Sequence, residues 1–458
     1  MPSGPWQDRV EFGPGGAFAY RPGQLVVRSE FVEQAVEVLA ANDMEVEQEA
    51  VAGNFERLSG DFEVREALGH VHNQGVLAQV NHVLFATSGC CPPHPSAAGA
   101  ADFYSEAKTV QPSGVGANPF YANPFYANPF YANPWGGCSC GCGCGGSSAN
   151  PFYANLFYAN PFYANPEQNP GRTPAAATGR RRSSARPAAP PKGTPDTGEI
   201  SGVRVTILDT GWADSAHAPS GVAPAAVSGE DDFPDGDGDQ FLDPAAGHGT
   251  FITGLISRLA PGCHLELIQV LSGYGDGDEV EIANKLIDLS QRGEGERPHI
   301  VNLSFGGYSP LGMGVLYQAV TALTAVGTLV VASAGNDGTC VPMYPAALPK
   351  VVAVGALDDA GKPAVFTNYG PWVDASAAGV DVISTFFRAF DGAEPAVKGE
   401  DADAFDGWAC WSGTSFAAPR VAAQLAHLIA AGRSPTDART ELLDGQNGKH
   451  HPALGTLL

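Results

Sequence analysis

Five short runs of apolar and β-branched residues in the second half of the chain constrain the fold more than any other feature. They span residues 203–208, 265–271, 300–303, 329–333 and 351–354. Helical periodicity follows His248, Glu279, Leu311 and Ser415. Strands that are apolar on both faces belong in a sheet that is covered on both faces, as parallel sheets are. The pattern therefore predicts an α/β fold with a doubly wound, mostly parallel sheet over residues 198–433.

A smaller α+β unit is predicted ahead of this sheet, over residues 23–87. The signals are helical spacing of apolar residues behind Ser29 and turn residues at Gly53-Asn54. They predict a strand, a helix, a hairpin, a second helix and a last strand, at 24–28, 29–41, 45–58, 64–74 and 76–85. This β-α-β-β-α-β order predicts a ferredoxin-like arrangement, in which the helices cover one face of a small sheet.

Residues 88–197 differ in composition from the rest of the chain. The pentapeptide Ala-Asn-Pro-Phe-Tyr begins at positions 117, 122, 127, 149 and 159. A period of five is too short for a solenoid, whose repeats run to roughly 20–50 residues. Proline in each unit removes a backbone donor and restrains the residue before it. We therefore predict a disordered low-complexity linker, either an inert spacer or an interaction tract, and tails at 1–22 and 434–458.

The net charge of −24 narrows the classes of partner. Nucleic acids and anionic membranes need Lys and Arg clustered on one face, and the basic run at Arg180–Arg182 stands alone among Ser, Pro and Ala. Neither is therefore expected as a partner. No apolar stretch is long enough to span a bilayer. The first residues lack the pattern of a secretory signal, so we expect a cytoplasmic protein or one exported without a recognisable signal peptide.

Four of the nine cysteines crowd into the segment Cys138–Cys144. Thiolates favour soft ions such as zinc or copper(I). The Cys-x-Cys spacing is tighter than the separation of two to four residues that is usual at zinc sites. The segment is therefore either a site for a soft metal or a redox-sensitive part of the linker.

An acidic loop over residues 232–243 is a candidate structural calcium site. Carboxylates at alternate positions of a loop can converge on Ca²⁺. Gln240 stands where an EF-hand has its glycine, and no glutamate closes the loop. The alternative is an acidic surface loop. The candidate ligands, together with the preceding Asp232, are Asp235, Asp237, Asp239 and Asp243.

Three residues in the order Asp, His, Ser carry the clearest chemistry. Asp209 ends a predicted strand, His248 begins a predicted helix, and Ser415 lies at the start of another. A serine hydroxyl becomes a nucleophile when a neutral imidazole accepts its proton, and a carboxylate can orient that imidazole. Ser415 alone would be interpreted as a helix cap. Asn336, which follows another strand run, supplies an amide suited to stabilising an oxyanion.

Four sequence blocks around these residues resemble the signature blocks of the subtilisin-like serine proteases, the subtilases. The blocks are Asp209-Thr-Gly, Gly247-His-Gly-Thr, Ser333-Ala-Gly-Asn336 and Gly413-Thr-Ser-Phe-Ala-Ala-Pro. The resemblance covers about 198–433. It implies a catalytic triad of Asp209, His248 and Ser415, with Asn336 in the oxyanion hole. It also implies a polypeptide substrate and chemistry that requires no cofactor.

The resemblance extends to the peptide-binding edges and to the N-terminal unit. Ser304, Phe305 and Gly306 match the family's substrate-binding strand, and Leu271, Ser272 and Gly273 match the edge that faces it. A peptide would then lie between two backbone edges as an added strand. Residues 23–87 resemble the inhibitory propeptide of many subtilases, which implies a zymogen whose own N-terminal domain is its inhibitor.

The sequence is compatible with two functions from different classes. The first is a serine endopeptidase that hydrolyses peptide bonds through an acyl-enzyme on Ser415. The alternative is a non-catalytic binding or scaffold protein on the same fold, with the aromatic repeat array as its interaction part. The complete set of four blocks favours the enzyme, because a scaffold is under no chemical demand to keep all four.

Overall fold

The computed structural model describes residues 10–13, 18–51, 53–86, 185–191, 200–213, 226–228, 231–236, 238, 240–309, 312–392, 404–444 and 449–458. The Ala-Asn-Pro-Phe-Tyr repeats and the Cys138–Cys144 segment lie outside these residues, as do Asp237 and Asp239. None of the described helices is both long and apolar enough to cross a bilayer.

The N-terminal unit contains five strands and two helices. They are β1 (Glu11–Phe12), β2 (Ala19–Arg28), α1 (Val32–Ala40), β3 (Glu47–Val51), β4 (Phe55–Ser59), α2 (Val64–Asn73) and β5 (Ala78–Ala86). The antiparallel strands lie in the order β5-β2-β4-β3. Both helices are amphipathic and bury their apolar faces, for example Leu39 of α1 and Leu68 of α2, against Leu25 and Val80 of the sheet. The predicted tail at 1–22 contains β1, which pairs with the start of β2.

The rest of the described chain contains eighteen strands and five helices. The strands are β6 (Arg186–Pro187), β7 (Arg204–Asp209), β8 (Trp212–Ala213), β9 (Ala226–Ser228), β10 (Asp231–Asp232), β11 (His264–Gln269), β12 (Asp276–Asp278), β13 (Ile300–Leu303), β14 (Phe305–Gly306), β15 (Leu329–Ser333), β16 (Val351–Leu357), β17 (Ala375–Ala378), β18 (Val382–Thr385), β19 (Phe390–Asp391), β20 (Ala404–Phe405), β21 (Trp408–Trp411), β22 (Lys449–His451) and β23 (Gly455–Leu457). The helices are α3 (His248–Leu259), α4 (Glu279–Gln291), α5 (Gly314–Ala325), α6 (Thr414–Ala430) and α7 (Pro435–Leu443).

Nine of these strands form the main sheet, in the order β22-β23-β17-β16-β15-β13-β7-β11-β9. All neighbours are parallel except β22 and β23 at one edge. Successive side chains of a strand point to opposite faces. Val331 of β15 accordingly joins a core with α3 and α6, whereas Val330 and Ala332 join a core with α4 and α5. The sheet is thus covered on both faces, which confirms the predicted α/β architecture.

The strand β5 lies between two short strands of the larger unit. Phe85 pairs with Asp276 of β12 on one side and with Gly306 of β14 on the other, both antiparallel. The backbone N–H of Ala86 also donates to the carbonyl of Gly275 at 2.9 Å. The two units therefore share a seven-stranded sheet, in which β5 is the strand that joins them.

The boundaries predicted for the linker and the C-terminal tail are wrong in the structure. Within the predicted linker, β6 pairs with β21, and Ala185 is buried in the main core. Within the predicted tail, α7 follows a Ser434 cap and β23 adds a parallel strand beside β17. These segments are short and carry few apolar residues. Their burial depends on backbone pairing with distant strands, so no periodic pattern marks them.

Candidate active site

Asp209 and His248 meet where a strand ends and a helix begins. Asp209 is the last residue of β7, and His248 is the first residue of α3. His248 Nδ1 donates to Asp209 Oδ1 at 2.7 Å, and both side chains are fully buried. A carboxylate oxygen here only accepts, so the proton of the neutral imidazole lies on Nδ1. Nε2, which has no hydrogen-bond partner among the described residues, is then the basic atom.

Aromatic side chains fix the plane of the imidazole. The rings of His248 and Trp411 meet edge to face at 89°, with their centroids 5.5 Å apart. The ring of Phe416 lies 5.4 Å away on α6. Trp411 and Phe416 are both buried and also contact each other. Because close packing leaves a ring few alternative rotamers, these contacts hold the imidazole in one orientation.

Ser415 lies in the first turn of α6, where backbone N–H groups have no partner within the helix. Pro419 stands four residues later in the same helix and has no N–H to give to the Ser415 carbonyl. That carbonyl instead accepts from Ser304 Oγ at 2.9 Å. The hydroxyl of Ser415 donates to the backbone carbonyl of Ser304 at 3.0 Å. The start of α6 is thereby fastened to the segment between β13 and β14.

Asn336 is attached to the residue before Ser415. Its Oδ1 accepts from both the backbone N–H and the hydroxyl of Thr414, each at 2.9 Å. The Thr414 hydroxyl in turn accepts from the Gly335 N–H at 3.0 Å. Oδ1 accepts from Thr414, and Nδ2 is the end of this amide that can donate to developing negative charge.

A second buried carboxylate, that of Asp232, contacts the neighbours of Asp209 and His248 in the chain. Its Oδ2 accepts from the Thr210 hydroxyl at 2.6 Å and from the Gly247 N–H at 2.8 Å. Burial raises the pKa of Asp232 to about 8, and the nearby Asp209 and Asp243 add to this, while the two hydrogen bonds oppose it. Asp232 thus connects the residue after Asp209 to the residue before His248.

Strand β5 pairs with one of the two predicted peptide-binding edges but not with the other. Phe305 and Gly306 form β14 and pair with β5. The edge on the other side of β5 is β12, Asp276–Asp278, rather than the predicted Leu271, Ser272 and Gly273. The reason is a tight turn in which the Gly275 N–H donates to the Ser272 carbonyl at 2.7 Å, with Gly275 at φ +85°. Extended backbone therefore starts only after that turn.

The segment that contains this site matches a known protein family. The description "Subtilase family" belongs to a family model that matches residues 201–443, more than half of the chain. The chain belongs to the subtilase family. The matched segment contains all three residues of the Asp209, His248 and Ser415 site.

Several curated subtilases are similar to this chain. Alkaline elastase YaB of Bacillus sp. (strain YaB) is 35% identical over 230 residues, which cover 48% of this chain and 52% of the elastase. Subtilisin Savinase of Lederbergia lenta is 37% identical over 197 residues, 41% of this chain and 67% of that protein. Thermitase of Thermoactinomyces vulgaris is 30% identical over 257 residues, 54% of this chain and 82% of thermitase. The chain spans about half the length of the elastase it matches.

The acidic loop offers little support for the predicted calcium site of this subtilase. Asp235 accepts from the N–H groups of Gly238 and Gln240, each at 2.8 Å. Asp243 Oδ2 accepts from the Gly236 N–H at 2.9 Å. These carboxylates accept hydrogen bonds from the backbone of the loop itself. The described residues contain no group of three or more acidic, His or Cys side chains that could hold a metal ion. Calcium stays a prediction.

Some residues that shape this subtilase site were missed in the sequence. The sequence predicts Asp232 only as a metal ligand, and no motif points to Trp411 or Asn368. Asn368 is fully buried and bonds the loop that carries Asn336. Each acts through a contact with a segment far away in the chain, so no local pattern signals it.

Proposed function

We propose that the chain is a serine endopeptidase that hydrolyses peptide bonds through an acyl-enzyme on Ser415. The observation that carries this proposal is the buried 2.7 Å hydrogen bond between His248 Nδ1 and Asp209, which makes Nε2 the basic atom of the ring. The hydroxyl of Ser415 turns about its Cα–Cβ bond from the Ser304 carbonyl towards Nε2. It gives up its proton there and attacks the scissile carbonyl carbon.

Proton transfers through His248 complete the cycle. The imidazolium, stabilised by Asp209, gives its proton to the leaving amine as the C–N bond breaks, which leaves an ester on Ser415. Water then enters, gives a proton to Nε2 and attacks the ester carbonyl. The ester bond breaks, the proton returns to Ser415 Oγ, and the new carboxylate leaves. This chemistry uses side chains and water and calls for no cofactor.

The oxyanion of each tetrahedral intermediate is assigned to two donors. One is the N–H of Ser415 in the first turn of α6, where the helix dipole also favours negative charge. The other is Nδ2 of Asn336, whose opposite end is held by Thr414 at 2.9 Å. Donors that are already in place cost no reorganisation during the reaction, and that is the source of their effect.

The substrate is proposed to be a polypeptide in extended form, laid between β12 and β14. Both strands already pair with β5, so their backbone groups are arranged to accept an added strand. Main-chain hydrogen bonds of this kind bind peptides of many sequences.

The N-terminal unit is proposed to be a ferredoxin-like propeptide that inhibits the peptidase. Its last strand, β5, takes the position proposed for the substrate. Arg21, whose side chain is 13% exposed, donates to Asp276 of β12 at 2.9 Å. While this unit stays in place a substrate strand has no edge to pair with, so the full chain is a self-inhibited zymogen.

Glu279, at the start of α4, forms a buried hydrogen-bonded contact between the N-terminal unit and the peptidase. Its Oε2 accepts from Gln79 Nε2 at 2.9 Å and from His82 Nδ1 at 2.8 Å, both from β5. Its Oε1 accepts from the Val315 and Leu316 N–H groups in the first turn of α5, at 3.0 and 3.1 Å. A fully buried carboxylate with four donors makes a specific contact between the two units.

The mass of the purified full chain tests both parts of the proposal. We expect the wild type to be shortened from its N-terminal side and the Ser415→Ala chain to stay intact. A wild type that keeps its full-length mass and does not hydrolyse an unstructured protein substrate would overturn the enzyme. Hydrolysis of that substrate by an unshortened chain would retain the enzyme and overturn the zymogen.

A scaffold role built on the repeat array is not favoured, because all four sequence blocks are present and His248 is hydrogen-bonded to Asp209. A deletion of residues 89–184, which keeps β6, separates the two roles. Full peptidase activity in the deleted chain would make the array a spacer. Absence of activity in both chains, with loss of a bound partner from the deleted one, would favour the scaffold.

A further inference from the structure

The buried side-chain amide of Asn368 forms hydrogen bonds with the loop that contains Asn336. Asn368 Oδ1 accepts from the N–H groups of Asp337 at 3.0 Å and Thr339 at 3.2 Å. Its Nδ2 donates to the carbonyl of Ala334 at 2.8 Å. The orientation of the amide is fixed by these partners, because backbone N–H groups only donate and a carbonyl only accepts.

These bonds hold the chain on both sides of Asn336. Ala334 lies two residues before it, and Asp337 and Thr339 follow it. The backbone N–H of Asn368 adds a bond to the Gly335 carbonyl at 2.9 Å. Gly335 has φ +104°, and a Cβ at that position would collide with Asn368 Nδ2, so the loop backbone lies directly on the amide.

The same amide reaches the peptide-binding side of the cleft. Asn368 Nδ2 also donates to the hydroxyl of Tyr308 at 2.8 Å, and that hydroxyl donates to Asp337 Oδ2 at 2.7 Å. Tyr308 is 8% exposed and follows β14 by two residues. All donors and acceptors of the Asn368 side chain are thereby used, in a group that is fully buried. Fully satisfied buried networks are rigid.

We infer that Asn368 is the positioning residue that fixes the Asn336 amide for stabilising the oxyanion and couples it to the peptide-binding strand through Tyr308. This inference rests on the proposed peptidase function. Asn368 touches neither substrate nor the reacting atoms. Its effect passes through Asn336, and the oxyanion exists only during the reaction. Its loss therefore lowers kcat and leaves KM nearly unchanged.

A double-mutant cycle between Asn368 and Asn336 tests this coupling. Loss of one oxyanion donor costs about 10²- to 10³-fold in kcat, a magnitude that comes from subtilisin, a member of the same family. We expect Asn368→Ala to lower kcat about 10-fold or more, with KM within about 2-fold, because the donor is displaced rather than removed. In the Asn336→Ala background the same substitution should lower kcat by less than about 2-fold.

Tyr308→Phe and Thr328→Val complete the design. Tyr308→Phe removes only the hydroxyl that links Asn368 to Asp337, and its smaller kcat loss should also vanish in the Asn336→Ala background. Thr328 donates to the Pro298 carbonyl at 2.7 Å just before β15 begins, at the opposite end of that strand from Asn336. Thr328→Val therefore controls for the loss of a buried hydrogen bond as such and should leave kcat unchanged.

Each chain is expressed in full, and its active sites are counted by titration with a fluorophosphonate carried to completion. If Asn368→Ala does not fold, Asn368→Asp takes its place, since it keeps the acceptor for Asp337 and Thr339 and loses the donor to Ala334 and Tyr308. An equal loss of kcat in both backgrounds, or no loss, would overturn the inference and leave the peptidase standing. An inactive wild type would overturn both.

Discussion

Ser304 and Ser415 are joined by two reciprocal hydrogen bonds. The Ser415 hydroxyl donates to the Ser304 carbonyl at 3.0 Å, and the Ser304 hydroxyl donates to the Ser415 carbonyl at 2.9 Å. The second bond replaces the helix bond that Pro419 is unable to make. Asn302 Nδ2 donates to the same Ser304 hydroxyl at 2.9 Å. Ser415, the proposed nucleophile, is therefore fixed to the segment between β13 and β14 by its backbone as well as by its side chain.

Ser304→Ala should destabilise the fold as well as slow the reaction. The change leaves a donor of buried Asn302 and the carbonyl of Ser415 without this partner, and an unsatisfied buried group costs about 1–3 kcal/mol. Urea unfolding in the Ser415→Ala background, which prevents self-digestion, measures this loss. Ser290→Ala is a matched control, since Ser290 bonds only within α4, to the Ile287 carbonyl. Equal losses in the two variants would contradict the account.

Asp209→Asn should abolish most of the activity without changing the fold. An amide in place of the carboxylate can donate to Nδ1, which would move the imidazole proton to Nε2 and leave no base for Ser415. In a serine protease with the same three residues this change lowers kcat about 10⁴-fold. The measurement is kcat at neutral pH, with Asp358→Asn as control, because the carboxylate of Asp358 accepts from the turn N–H groups of Ala360 and Lys362. A loss below about 10-fold would contradict the assigned role.

Asp232 should make the stability of the chain fall as the pH rises. Its pKa is about 8 in the folded chain against an ordinary value of 3.8, so between these values the folded chain holds a proton that the unfolded chain has released. Stability from this group is therefore present at low pH and is lost towards pH 8. Asp232→Asn keeps an acceptor for Thr210 and Gly247 and removes the titration.

Urea unfolding of both chains at pH 5 and pH 8, in the Ser415→Ala background, measures this difference. The variant should gain stability relative to the Asp232 chain as the pH increases. Parallel pH dependence in the two chains would show that Asp232 holds no extra proton in the folded state.

Arg21→Ala should release the peptidase from inhibition sooner. The substitution leaves buried Asp276 without its guanidinium partner, and breaking a buried pair costs about 3–5 kcal/mol. The readout is the lag before peptidase activity appears after the full chain is refolded. Arg28→Ala is the control, because Arg28 pairs with Glu30 inside the N-terminal unit, at 3.3 Å. An unchanged lag for Arg21→Ala would remove this pair from the inhibitory contact.

The sequence predicts best those features that are coded locally. Apolar runs locate β7, β13 and β15, and the residues at their carboxyl ends, such as Asp209 and Asn336, follow from the rule that sites lie beyond strand ends. The triad is predicted because each member lies in a short block at the end or the start of an element, and the structure places His248 beside Asp209. The α/β fold and the pairing of Asp209 with His248 could therefore be predicted from the sequence.

Features that depend on a turn or on a distant contact were not accessible. The facing edge was predicted at Leu271–Gly273, whereas the strand that pairs with β5 is β12, because extended backbone begins only after the turn closed by Gly275. Asn368 was missed because its partners lie about 30 residues or more away in sequence. The strand β23 was missed because its pairing with β17, rather than its own composition, makes it a strand.

Covalent labelling of the matured chain by a fluorophosphonate tests the central claim most directly. The phosphorus reagent reacts only with a serine whose proton is taken by a neighbouring base, so the label reports the Ser415, His248 and Asp209 arrangement itself. We predict one label per chain, mapped by peptide mass to Ser415 and absent from His248→Ala. A wild type freed of its N-terminal unit that takes up no label, under conditions where a control serine protease is labelled fully, would contradict the account.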